Sequence, residues 1–123
     1  MKFYLCEKCG NLVAMVNASG APMICCGQKM TELVAGTVDA SREKHIPVVE
    51  INADTLTATV GAVIHPMTKE HSIKWICLET DKGFAIKYLT PDDEPTATFN
   101  LAGEKPVAVY EYCNLHGLWK AEI

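Results

Sequence analysis

The first 26 residues contain four cysteines, and a segment this short folds only if something holds it together. Cys6 and Cys9 form a Cys-x-x-Cys pair followed by Gly10, and Cys25 and Cys26 are adjacent. A unit below about 40 residues rarely buries enough apolar surface to fold without a disulfide or a metal. The four cysteines therefore predict a metal-stapled front unit, with two disulfides as the alternative interpretation.

The spacing of these cysteines indicates how they would share one ion. Two thiolates three residues apart reach a common ion from a tight turn, and Gly10 tolerates the positive φ that such a turn requires. Adjacent side chains in an extended segment point apart, so Cys25 and Cys26 share an ion only where the backbone distorts. Four thiolates suit tetrahedral iron and tetrahedral zinc, which leaves the choice of metal open.

Composition restricts the class of protein. The chain has 123 residues, 49% of them apolar and 21% charged, as in an ordinary globular protein with one main core. No run approaches the roughly 20 apolar residues of a membrane span. The first residues lack an apolar signal core, so we expect a cytoplasmic protein whose cysteines stay reduced. A net charge of −4 without a basic run argues against a nucleic-acid partner.

Residues 37–123 have the pattern of an all-β domain. Short apolar or β-branched runs alternate with turn signals, and no segment has the periodicity of an amphipathic helix. Seven strands are predicted, at 47–52, 55–60, 72–80, 84–89, 96–101, 107–113 and 117–123. This pattern is typical of a β-sandwich. We therefore expect two domains, 1–36 and 37–123.

All four histidines lie in the second part, each beside a turn or a strand end, together with one more cysteine. They are His45, His65, His71 and His116, with Cys113 three residues before the last. A single histidine is more often a surface or core residue than a ligand, but the loops of a sandwich can cluster at one end. Five such donors exceed the four that zinc usually takes, and their mixture suits iron or copper. Blue copper with Met67 would leave two histidines unused, whereas iron with five ligands and one open position uses them all.

These motifs in combination resemble the desulfoferrodoxin family, the two-iron superoxide reductases. The matching segments follow one another over nearly the whole chain, and all four front cysteines are present, unlike in one-iron members of the family. The segments are Cys6-x-x-Cys9, Cys25-Cys26, Glu43-Lys44-His45-x-Pro47, His65-Pro66-Met67-x-x-x-His71-x-Ile73-x-Trp75-Ile76 and Cys113-Asn114-Leu115-His116-Gly117-Leu118-Trp119.

The resemblance implies two iron sites on two domains. The front unit is similar to desulforedoxin, with one iron on the four front cysteines, although zinc is possible there. The second domain would be an immunoglobulin-like seven-stranded β-sandwich. Its iron would take the four histidines in a plane and the Cys113 thiolate as axial ligand. The resemblance also implies a homodimer, a cytoplasmic location in an anaerobic or microaerophilic microbe, and a rubredoxin-like electron donor.

The implied activity is one-electron reduction of superoxide to hydrogen peroxide at ferrous iron, without release of dioxygen. In this family Lys44 would attract the superoxide anion and Glu43 would bind the oxidised iron at its sixth position. Without the resemblance, both would be interpreted as ordinary surface charges. Cys77, the remaining cysteine, is interpreted as a small buried apolar residue.

Three other functions stay open from the sequence. Two irons could pass electrons without any substrate, a zinc-stapled interaction module or zinc hydrolase could use the same cysteines, and a superoxide dismutase could use the same histidines. The thiolate argues against dismutation, because electron donation from sulfur should make the ferric ion a poor oxidant of superoxide.

Overall fold

The computed structural model describes all 123 residues and is mainly β, with twelve strands and one single-turn helix. The chain divides into two compact units, Met1–Val34 and Ala35–Ile123. The expectation of a mainly β protein, with a cysteine-rich front unit followed by a β-sandwich, is confirmed. None of its helices has the length and apolar character needed to cross a membrane.

The front unit consists of two very small sheets. Strands β1 (Phe3–Leu5), β2 (Leu12–Ala14), β3 (Ile24–Cys25), β4 (Gln28–Lys29) and β5 (Thr31–Glu32) follow one another along the chain. A three-stranded antiparallel sheet has the order β2-β1-β5, and β3 pairs with β4 as a separate hairpin. The buried apolar side chains of this unit are Phe3, Cys6 and Met30. So small an apolar core rarely supports a fold without a disulfide, a metal or a partner subunit.

The turn between β3 and β4 supplies the backbone distortion that the adjacent cysteines require. Cys26 and Gly27 are the two central residues of this turn, and both have positive φ, at 53° and 74°. Positive φ at both central positions is the geometry of a two-residue hairpin turn that matches strand twist. A non-glycine residue rarely adopts positive φ, and here it brings the sulfurs of Cys25 and Cys26 to 4.0 Å from each other.

The second unit is a sandwich of a three-stranded and a four-stranded antiparallel sheet. Its elements are helix α1 (Arg42–His45) and strands β6 (Pro47–Asn52), β7 (Thr55–Val60), β8 (Ile73–Thr80), β9 (Gly83–Tyr88), β10 (Thr96–Asn100), β11 (Pro106–Cys113) and β12 (Gly117–Glu122). The sheets have the orders β10-β7-β6 and β12-β11-β8-β9. All seven predicted strands are present, with ends that shift by at most one residue.

Alternating side chains close the core between these sheets. Leu56, Ala58 and Val60 of β7 are fully buried, and they pack in one cluster with Ile76 and other apolar residues of β8, β10 and β11. Burying a leucine, isoleucine or valine side chain stabilises the fold by about 1.5–3 kcal/mol relative to leaving it exposed. The sandwich therefore provides a rigid base for its end loops.

Strand register brings the histidine-bearing segments to one end of the sandwich. Cys113, the last residue of β11, pairs with both Ile73 at the start of β8 and Gly117 at the start of β12. On the other sheet, Pro47 at the start of β6 pairs with Val60 at the end of β7. The segments around these five strand ends carry all four histidines, and the single turn of α1 places His45 directly before β6.

Candidate metal centres

The four front cysteines lie around one point. Their sulfur atoms are all within 4.8 Å of one another, with 3.6 Å between Cys9 and Cys25 and 4.0 Å between Cys25 and Cys26. A tetrahedral ion with metal–sulfur bonds of about 2.3 Å sets its sulfurs about 3.8 Å apart. The observed spacing therefore fits one tetrahedral ion, and none of the six cysteines of the chain is in a disulfide.

Hydrogen bonds to the sulfurs distribute charge unevenly in the front site. The Cys9 backbone N–H lies 3.5 Å from the Cys6 sulfur and, with that of Lys8, lowers the pKa of Cys6 to about 6. Hydrogen bonding with Cys9 and Cys6 raises the pKa of Cys25. The same two partners raise the pKa of Cys26 to about 12. Four thiolates cannot ionise together without a cation between them, so this cluster fits a bound metal ion.

The four imidazoles of the second site form a closed ring. His45 contacts His65 and His116, with ring centroids 4.8 Å and 4.9 Å apart, and His71 contacts the same two rings at 4.6 Å and 5.1 Å. Neighbouring rings are nearly perpendicular, at 74–88°. Nε2 of His45 lies 3.2 Å from Nε2 of His65 and 3.1 Å from Nδ1 of His116. A metal–nitrogen bond of about 2.1 Å sets neighbouring nitrogens about 3.0 Å apart, so the ring fits one ion.

The Cys113 sulfur completes this site. It lies 3.5 Å from Nε2 of His65 and 3.9 Å from Nδ1 of His116. The donor atoms of His45, His65, His71 and Cys113 are all within 4.8 Å of one another. With His116, the site therefore offers four nitrogens and one sulfur to a single ion.

Backbone carbonyls fix which nitrogen each buried ring presents. Nδ1 of His45 lies 2.6 Å from the Ser41 carbonyl, and Nδ1 of His65 lies 2.7 Å from the Pro66 carbonyl. Each Nδ1–H donates to its carbonyl, which leaves the Nε2 lone pair for a ligand. Nε2 of His71 is buried and has no hydrogen-bond partner in the protein. Such an orphaned nitrogen is the atom that a metal ion would satisfy.

Burial sets the protonation of these ligands. It lowers the pKa of His45 and His71, and it lowers that of His65 to about 4, so these rings are neutral at physiological pH. Neutral imidazole is the form that binds metals. Burial also raises the pKa of Cys113, against the opposing N–H groups of Leu115 and His116. The thiol therefore needs a cation to release its proton.

The two charged residues predicted for catalysis lie on α1 and are exposed. The charge of Lys44 contributes to the lowered pKa of both His45 and His71, so its electrostatic field reaches the cluster of four imidazoles. For Glu43 it is the backbone carbonyl that contacts the His65 loop, by accepting a hydrogen bond of 3.0 Å from the Val63 N–H. The predicted role of the Glu43 carboxylate as an iron ligand stays a prediction.

Two residues beside the site were not anticipated from the sequence. Glu111 is fully buried, neither carboxylate oxygen has a hydrogen-bond partner, and burial raises its pKa to about 9. Strand alternation was a usable signal, because Val109, Glu111 and Cys113 share a face. Asn114 hydrogen-bonds the segment that carries His71, a contact with no signature in the sequence.

A four-thiolate centre on a small β unit, and an imidazole–thiolate centre at the end of a β-sandwich, define a non-haem metalloprotein with two sites. Family models described as "Desulfoferrodoxin, N-terminal domain" and "Desulfoferrodoxin" match residues 1–33 and 37–122. The chain belongs to the desulfoferrodoxin family.

Individual relatives support this assignment. The chain is 46% identical to a desulfoferrodoxin of Nitratidesulfovibrio vulgaris over 121 residues, which cover 98% of this chain and 95% of the relative. It is 36% identical to a superoxide reductase of Thermococcus kodakarensis over 103 residues, covering 69% and 90% of the two chains. The crystal structure of the superoxide reductase from Treponema pallidum superimposes with a TM-score of 0.81 at 40% identity, covering 98% of each chain.

Proposed function

We propose that this chain is a superoxide reductase. The reaction combines one superoxide anion, one electron and two protons into hydrogen peroxide, and it releases no dioxygen. The observation that carries the proposal is the closed ring of four imidazoles with the Cys113 sulfur beside it. Relatives named superoxide reductase at 36% and 40% identity support it.

Iron is the proposed ion in both sites, with zinc possible in the front one. Cys6, Cys9, Cys25 and Cys26 would hold the front ion, and His45, His65, His71, His116 and Cys113 the second one. The second iron would supply an electron to superoxide at the coordination position that five donors leave open. The thiolate should favour reduction of the substrate by donating electron density.

The protein's own residues would orient the metal ligands and attract the substrate anion. Carbonyls of Ser41 and Pro66 hold two rings in the tautomer that presents Nε2, so the donors are set before a metal binds. We propose that Lys44 attracts the superoxide anion. The whole chain carries a net charge of −4, so any attraction must be local. A cation acts over about 10 Å at 0.1 M salt, and the effect of Lys44 on two ligand imidazoles supports this range.

Glu43 is proposed as the ligand of the oxidised resting state. A carboxylate is a hard oxygen ligand that suits ferric iron, and Glu43 lies two residues before the ligand His45 on the same helical turn. Replacing Glu43 by alanine should leave superoxide reduction intact and change only the absorption spectrum of the oxidised protein. A lost reaction would contradict this assignment.

The remaining assignments concern the setting of the reaction. We propose a homodimer, a rubredoxin-like electron donor and a cytoplasmic location, where reduced cysteines are available for metal. We also propose that residues 1–36 function as the desulforedoxin-like domain and residues 37–123 as the catalytic domain. The small core of the front unit supports assembly into a dimer, because a second copy would cover further apolar surface.

The decisive experiment measures peroxide formed per superoxide consumed, using iron-loaded protein kept reduced by an excess of donor. A ratio near one, with donor oxidised in step, is the expected result. A ratio near one half with no donor consumed would identify a dismutase and contradict the role given to Cys113. No superoxide consumption at all would point to an electron carrier or to a zinc-stapled module.

A further inference from the structure

Backbone pairing between β11 and β8 changes register where the second metal site begins. Tyr112 pairs with Trp75, but the next residue, Cys113, pairs with Ile73, so Lys74 is left as an extra residue on β8. Beyond Cys113 the chain turns away towards His116. Regular strand pairing therefore stops just before it would reach His71, which precedes β8 by two residues.

Asn114 continues the pairing with its side chain. Its backbone N–H donates to the Ser72 carbonyl at 3.2 Å, and its Oδ1 accepts a hydrogen bond of 2.9 Å from the Ser72 N–H. Its Nδ2 donates to the Glu70 carbonyl at 2.8 Å. The side-chain amide thus bonds to the residues on either side of His71, as a neighbouring strand would.

These bonds matter more for His71 than comparable bonds would for His45 or His65. His45 and His65 are buried and have carbonyl partners at Nδ1, whereas His71 is only half-buried and its segment is a loop. On the other side, the Thr68 hydroxyl accepts from the His71 N–H at 3.0 Å. Asn114 and Thr68 together hold the backbone of His71 from both directions.

We propose that Asn114 is a positioning residue that places His71 against the metal and ties it to Cys113, its own neighbour in the chain. A change at Asn114 should therefore loosen the second metal site through His71 and leave the front site intact. This inference rests on the proposed metal centre and not on the superoxide reaction. Its test measures metal retention, so its failure and that of the proposed activity are separable.

The experiment follows iron loss to an excess of chelator in the iron-loaded full-length protein. The two sites have different sulfur ligation, so their charge-transfer absorption bands report each loss separately. Asn114→Ala should release iron from the second site faster, by up to the roughly 10–100-fold that the loss of a ligand-orienting residue costs in metal affinity. Release from the front site should be unchanged. Asn52→Ala, an exposed asparagine at the far end of β6, is the matched control and should change neither rate.

Two further variants separate positioning of His71 by Asn114 from a general loss of stability around the second metal site. Asn114→Asp keeps the side-chain shape and an oxygen for the Ser72 N–H, but it sets a carboxylate oxygen against the Glu70 carbonyl, so it should release iron at least as fast as the alanine variant. In a His71→Ala background, Asn114→Ala should cause no further acceleration, because Asn114 acts through His71. Full acceleration in that background, or an unchanged rate in the single variant, would overturn the proposal.

Discussion

The indole ring of Trp119 stacks on the imidazole of His45, with centroids 5.0 Å apart and planes inclined by 25°. The indole N–H also donates a 3.0 Å hydrogen bond to the His116 carbonyl. One buried side chain of β12 therefore supports two of the proposed metal ligands, which lie 71 residues apart in the chain. The Trp119 side chain thus links the helical turn that carries His45 to the turn that carries His116.

Replacing Trp119 by phenylalanine tests this support. The ring stack should survive, while the bond to the His116 carbonyl is lost, so we expect the free energy of unfolding to fall by about 1–2 kcal/mol. Iron should also leave the second site several-fold faster. Trp119→Ala removes the stack as well and should cost about 3–5 kcal/mol. Denaturant unfolding and chelator competition check both results, and equal iron retention in all three proteins would contradict the supporting role.

Gly61 allows the His65 loop to approach the backbone of α1. A Cβ at this position would lie 2.5 Å from the Glu43 carbonyl oxygen and 3.1 Å from that of Ile46. Gly61→Ala should therefore push apart the two segments that carry His45 and His65, cost about 1–3 kcal/mol and weaken iron retention in the second site. Thermal unfolding and iron release to a chelator measure the two effects.

Gly103→Ala is the matched control for this substitution. Gly103 has φ +77°, but nothing lies within 4 Å of where its Cβ would be. Its replacement should cost about 1 kcal/mol through backbone strain alone and leave iron retention unchanged. If both variants retained iron like the parent, close packing at Gly61 would have no role in the metal site.

Attraction of superoxide by Lys44 can be separated from the effect of net charge. Lys44→Ala and Lys82→Ala each remove one positive charge. Lys82, however, lies in the turn between β8 and β9, at the end of β8 that is far from the histidine site. We expect the superoxide rate constant of the Lys44 variant to fall several-fold at low salt and to depend less on ionic strength. Pulse radiolysis over a range of salt concentrations measures both, and equal effects of the two substitutions would refute a local role.

The fold was predictable because strand signals are local. β7 reads Thr-Leu-Thr-Ala-Thr-Val, and Leu56, Ala58 and Val60 are its buried positions. Turn residues delimit each strand, so all seven strands of the sandwich were predictable to within one residue at either end. The four-residue helix α1 is too short to show a period, and the two-residue strands β3 and β4 are too short to show apolar alternation.

The candidate site was predictable as a set of donors but not as a geometry. Histidine and cysteine are recognisable in a sequence as potential metal ligands, and the sandwich explains why their loops meet at one end. The carbonyls of Ser41 and Pro66 that orient two rings belong to loop conformations, which no pattern of residue types encodes. The contacts of Asn114 depend on the register shift between β11 and β8, and such irregularities arise from tertiary packing.

Cys77 gives a pH-dependent prediction away from both sites. It is fully buried, and burial, helped by the charge of Glu79, raises its pKa from 9.0 to about 12. The unfolded chain loses this proton near pH 9, whereas the folded chain keeps it until about pH 12. The resulting stabilisation is complete below pH 9 and is lost as the pH rises towards 12.

The measurement compares the parent protein with Cys77→Ala by denaturant unfolding between pH 8 and 11. At pH 8 the variant should be less stable by about 1 kcal/mol, because a small buried side chain is truncated. Its disadvantage should shrink as the pH rises. Cys77 should also resist alkylation at pH 8 until the protein unfolds. Rapid labelling of folded protein at Cys77, or a stability difference independent of pH, would contradict burial as the cause.

Removal of the front metal should unfold the front unit alone. Its buried apolar side chains are Phe3, Cys6 and Met30, whereas the sandwich has a continuous core between its two sheets. In Cys26→Ser the weaker ligand should lower metal occupancy of the front site. The backbone N–H groups of Leu33 and Met15 donate to the carbonyls of Phe3 and Lys2. Both amide protons should then exchange rapidly with solvent. Amides of β11 in the sandwich should stay protected, and Cys77→Ala should leave the front amides protected. Hydrogen exchange followed by mass spectrometry distinguishes the two units, and a front unit that stays protected without its metal would show that its small core is sufficient.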